Sequence, residues 1–120
     1  MTDFNDSSAI ADRLTKASKR LHELAGSVGM ARQIKEFASD RRKMALARWV
    51  APLLKDGESA TSAEHKARSS GAYIAEMDRL ASEYESAEST LAQYAAEQAS
   101  FEAARSLLSW NKETLRNLPE

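Results

Sequence analysis

The chain has 120 residues, a formal net charge of −1, four Gly, two Pro and no Cys. That length suits one small domain, and the missing thiols exclude a disulfide framework, a thiolate metal site and a cysteine nucleophile, as fits a reducing cytoplasm. An Ala-, Glu- and Arg-rich makeup with so few breakers excludes a sheet-built fold and predicts an all-α chain over 1–120.

Residues 1–7 read as a frayed leader, because turn formers surround Phe4 and no periodic apolar partner follows it. No apolar run reaches the length of a signal sequence or a membrane span, so a cytoplasmic protein without a membrane partner is expected. N-terminal helices are predicted over 8–55. Ser7 or Ser8 can cap the first, after which Ile10, Leu14, Ala17, Leu21, Leu24 and Val28 step by four and three. Gly26, Ser27 and Gly29 predict a turn or bend there, since each glycine costs about 1 kcal/mol inside a helix. The apolar phase restarts at Met30, Ile34, Phe37, Ala38 and Ala45, and Pro52 should end or kink the second helix.

Lys55, Asp56 and Gly57 form a breaker, and Thr61 with Glu64 is expected to make the capping box that opens one long helix over 61–118. Gly71 weakens its first turns and Pro119 ends it. Tyr73, Met77, Leu80, Tyr84, Ala87, Leu91, Tyr94, Gln98, Phe101, Arg105, Leu108, Lys112 and Leu115 keep a heptad step throughout. The simplest arrangement is an antiparallel helical hairpin or coiled coil. Two thin arms leave much of each helix wet, so a homo-oligomer is expected, joined through Tyr73, Met77, Leu80, Tyr84, Leu91, Tyr94, Phe101, Leu108 and Leu115. Polar groups at Gln98, Arg105 and Lys112 would set register, or line a channel in a ring.

Catalytic chemistry finds no constellation. His22 and His65 share no helical face with a second ligand, the carboxylates of the long helix read as a solvated face, and no nucleophile, base and orienter assemble. Neither an enzyme nor a metal or other cofactor is expected.

Charge is unevenly spread. Lys16 to Lys55 holds ten basic residues against three acidic ones, whereas Asp56 to Ala104 holds ten acidic against three basic. Arg41 and Arg48 fall on the apolar stripe of the second helix, while Arg42 and Lys43 point to its flank. Those arginines could pair with carboxylates of the long helix or meet an anionic protein. Alternatively Arg41, Arg42, Lys43, Arg48, Lys55, Lys66 and Arg68 could track a phosphate backbone, with Trp49 stacking on an unpaired base.

The tract Arg42, Lys43, Met44, Ala45, Leu46, followed by Arg48, the loop Lys55, Asp56, Gly57, Glu58 and the long C-terminal helix together resemble the UvsY-type recombination mediators of tailed phages. The likeness covers residues 34 to 116 in arrangement and about ten in detail; it departs from the family in fewer lysines and an acidic last helix. The resemblance implies a phage-encoded helical homo-oligomer in the host cytoplasm. It would bind single-stranded DNA through Arg42, Lys43 and Arg48, oligomerise through its C-terminal helix, and engage a RecA-like recombinase and a single-strand-binding protein. The competing expectation is a helical protein-interaction module, a phage-encoded inhibitor or an assembly or scaffolding protein, that binds no nucleic acid.

Overall fold

The computed structural model describes residues 7–118. Four helices follow one another: α1 (Ser7–Glu36), α2 (Ala38–Lys55), α3 (Ala60–Ser69) and α4 (Gly71–Arg116). No strand occurs among the described residues, and the long C-terminal helix is α4. Contacts divide the chain into two compact units: residues up to Gly29 with those from Thr90 onward, and Met30–Ser89. The expected leader, 1–7, lies outside the described residues except for Ser7, which is already helical, and Pro119 lies outside them too.

In the first unit α1 and α4 run antiparallel. Asn111 Nδ2 lies 3.5 Å from Ser7 Oγ, and Arg20 Nε lies 3.9 Å from Glu97 Oε1, so partner numbers fall as α1 advances. The first expected seam is the buried one: Ile10, Ala17 and Val28 are buried, with Leu14, Leu21 and Leu24 half-buried between them. The facing line on α4 is Glu97, Phe101, Ala104, Leu108 and Asn111, of which Ala104 and Asn111 are buried.

This corrects the C-terminal register. Tyr73, Leu80 and Ala87 are buried and Met77, Tyr84, Leu91 and Tyr94 half-buried, as the heptads require, but the line then advances from Tyr94 by three instead of four. Two consecutive steps of three, a stammer, turn the stripe around the helix. Gln98, Arg105, Lys112 and Leu115 are therefore exposed and stand off the stripe that this fold buries. The physical cause is desolvation: covering Ala104 costs nothing, whereas covering Arg105 would strip water from a guanidinium.

The same shift occurs in α1. Its buried line passes from Val28 to Ala31, Ile34, Ala38, Arg41 and Ala45, leaving Met30 (69% exposed) and Phe37 (48%) outside. No turn forms at Gly26–Gly29; burial of Val28 and Ala31 on either side of Gly29 outweighs the glycine cost, and the interruption falls at Phe37 (φ −99°, ψ 10°). Even there the Phe37 amide donates to Gln33 at 2.9 Å and Arg41 to the Phe37 carbonyl at 2.8 Å.

The second unit builds its core mainly from small residues: Ala31, Ala45, Ala63, Ala67 and Ala87, with Tyr73 and Leu80. Pro52 sits inside α2 rather than ending it; the helix continues to Lys55, and the solvent-facing position lets water satisfy the carbonyl that Pro52 cannot reach. The breaker then acts as expected, as a Schellman motif. Gly57 adopts φ +92°, its amide donates to Leu54, and the Glu58 amide donates to Leu53. Because the motif ends at Glu58, the next extended residue is Ser59, and its hydroxyl, not Thr61's, caps α3 by accepting from the Ser62 amide at 3.2 Å. Glu64 pairs with Arg68 instead of closing a capping box.

The single helix expected over 61–118 is two. Ser70 is extended (φ −68°, ψ 132°), so α3 can lie on α2 and bury Ala63 and Ala67 before α4 begins at Gly71. Serine and glycine side by side make this the cheapest place to interrupt the helix.

Candidate interaction surface

The basic tract of α2 meets α4 through two carboxylates spaced seven residues apart, so that both project from one face. Glu76 accepts from Arg48 Nη2 at 2.5 Å with one oxygen and from the Trp49 indole at 2.8 Å with the other, and only 11% of its side-chain surface is exposed. Glu83 takes Arg41 Nη2 at 2.8 Å, and Arg79 binds its other oxygen at 2.8 Å. Lys35 completes this face by lying 5.9 Å above the Tyr84 ring.

Electrostatics follow from these contacts. The Trp49 indole, then the Arg48 guanidinium, hold the Glu76 carboxyl below its ordinary value against an opposing effect of desolvation. Arg41 does the same for Glu83. Near the Schellman turn, Lys66 and Ser62 both donate to Glu58 and lower its pKa, while Glu64 raises that of Arg68.

The expected nucleic-acid set therefore separates into two groups. Arg41, Arg48, Trp49, Lys66 and Arg68 are engaged by carboxylates of their own unit, while Arg42, Lys43 and Lys55 are exposed and form no ion pair among the described residues. The pairing of Arg41 and Arg48 with the long helix was one of the sequence alternatives. Trp49 as a carboxylate ligand was not foreseen; a donor one residue from Arg48 was the available signal.

The expected oligomerisation residues are largely committed inside the molecule. Tyr73 and Leu80 are buried, Met77, Tyr84, Leu91, Tyr94, Phe101 and Leu108 half-buried, and Leu115 alone is open, at 64% exposed. Exposed apolar groups lie elsewhere, at Met30, Phe37, Met44, Ile74, Trp110 and Leu118. Met30 and Phe37, with Gln33 and Ile34, border an open groove of about 490 Å³ beside the Arg41–Glu83 pair.

No group of three or more His, Cys, Asp or Glu among the described residues could hold a metal ion. No described helix is long and apolar enough to cross a membrane. Compared with protein-family models, curated proteins and solved structures, the chain finds no match in any of the three.

Proposed function

We infer that the chain is a non-enzymatic helical protein-interaction module that works as a homo-oligomer. The observation that carries this reading is the fate of the basic tract. Glu76 and Glu83 engage Arg41, Arg48 and Trp49, so the aromatic and two of the cations suited to nucleic acid are occupied within the fold. Large apolar groups such as Trp110, Leu115, Met30 and Phe37 stand open meanwhile, which supports docking of protein on protein.

Light scattering on the full chain tests the reading. A defined multimer is expected at micromolar concentration, and a monomer throughout overturns it.

A second reading, binding of single-stranded DNA in support of a recombinase, is favoured by one observation: Arg42, Lys43 and Lys55 are exposed and unpaired among the described residues. Anisotropy with a labelled single strand at low salt separates the two. Binding that falls steeply with salt and is reduced by Arg42→Ala with Lys43→Ala supports the DNA reading; no binding removes it.

A further inference from the structure

Most of the large half-buried side chains of the first unit gather on one side of it. On α1, Leu14 and Leu21 lie roughly 20–40° round from the line of Ile10 and Val28, and Leu21 meets Phe101 and Gln98 across a depression of about 480 Å³. Tyr94 and Leu108 stand one heptad either side of Phe101, so they share its side of α4. The opposite side is closed by long side chains of α1: Arg13 is half-buried there, and Arg20 reaches Glu97.

The leucine side has no such cover among the described residues. Its rim on α1 is Ala11, Ser18 and Ala25, spaced by seven and all exposed, while its rim on α4 is Gln98, Arg105 and Lys112, also spaced by seven and exposed. One rim is short and the other long. Arg105 leans back toward the Phe101 ring, 6.0 Å from its centre.

We propose that this side receives the same side of a second copy, α1 of each chain lying on α4 of the other about a two-fold axis that runs along the helices. The short rim of each copy then takes the long rim of its partner, and Leu14, Leu21, Tyr94, Phe101 and Leu108 of both copies close a four-helix core. Such an axis leaves every residue at its own height. Ser7 stands level with Asn111 and Arg20 with Glu97, so Ser18 comes opposite a point between the partner's Gln98 and the partner's Phe101, and Ala11 opposite one between the partner's Arg105 and the partner's Leu108. The stems of Gln98 and Arg105 fill the space over the small residues, and the guanidinium passes the edge into water. Lys19, at the outer edge of α1, comes within reach of the partner's Glu102. A two-fold axis across the helices would instead set short rim on short and long on long and, with the rims in full overlap, Lys19 near the partner's Lys19. Size and charge therefore select α1 on α4. Along residues 94–112 the face is about 27 Å long and about 20 Å wide, so two copies bury on the order of 1,000 Å² in total, the area a specific interface needs.

The proposal specifies the self-association inferred above and rests on it. Because the chain has no Cys, introduced thiols report the pairing cleanly. Under mild oxidation the full chain carrying both Ser18→Cys and Gln98→Cys should run as a covalent dimer on a non-reducing gel, and either substitution alone should not cross-link. A dimer joined through Ser18→Cys alone would set α1 on α1 and overturn the pairing. Sedimentation equilibrium gives a second measure. Ala11→Gln with Ser18→Gln lengthens the short rim and should weaken dimerisation at least about tenfold, whereas Ala96→Gln with Ala103→Gln, exposed on the opposite side of α4, should leave it unchanged. A parent multimer that ignores the first pair, or that gives no cross-link with both thiols, overturns this face and leaves the interaction reading standing. A parent that stays monomeric to about 100 μM overturns both.

Discussion

Glu76 holds two neighbouring side chains of α2 with its two oxygens, and that arrangement makes it sensitive to acid. A carboxyl whose pKa is lower folded than unfolded contributes stability above its unfolded value and loses that contribution as pH falls through the folded one. Glu76, Glu83 and Glu58 all lie on that side. Lowering the pH from about 5 toward 3 should therefore release the indole and loosen the attachment of α2 to α4. In a Trp110→Phe background the emission of Trp49 reports this directly: a red shift on acidification is expected, and Glu76→Gln should show the shifted emission already at neutral pH. An acid transition of Trp49 that ignores Glu76→Gln would show that the indole is not held there.

At the scale of elements, heptad periodicity located the C-terminal end of the long helix within two residues, because a stripe repeated over thirteen positions leaves little freedom there, whereas its start was expected at 61 and falls at Gly71. It could not place the stammers. Between Tyr94 and Leu108 the lines through Gln98 and Arg105 and through Glu97 and Ala104 share Phe101, and only the partner helix decides between them. The polar residues on the rejected line were the available sign. Helix joints were legible where backbone conformation required a particular residue, as at Gly57 with its positive φ, and illegible where several weak formers competed, as at Gly26, Gly29, Ser70 and Gly71. The candidate surface divided similarly. Charge balance indicated that Arg41 and Arg48 could find carboxylates, but which face of α4 remained open depended on the register. Leucine scanning checks that register: Ala104→Leu should cost about 1–3 kcal/mol by overpacking, whereas Arg105→Leu should stay within about 0.5 kcal/mol. Urea denaturation of both variants gives the comparison, and the reverse order would restore the unbroken heptad.

At the largest scale, buried side chains among the described residues are few and mostly small, and alanines dominate the second unit. Such a core contributes little apolar area per residue, which is why stability here should respond to anything that covers the outer faces. The antiparallel course of the first unit has a separate consequence. With Ser7 Oγ 3.5 Å from Asn111 Nδ2, the start of α1 lies beside the last turns of α4. A circular permutant that joins the ends through a short flexible linker and starts instead at Gly57, on the surface between α2 and α3, leaves every helix whole. It should keep the parent's helical circular dichroism and melt cooperatively; loss of either would count against the antiparallel course of α1 and α4 on which the permutant rests.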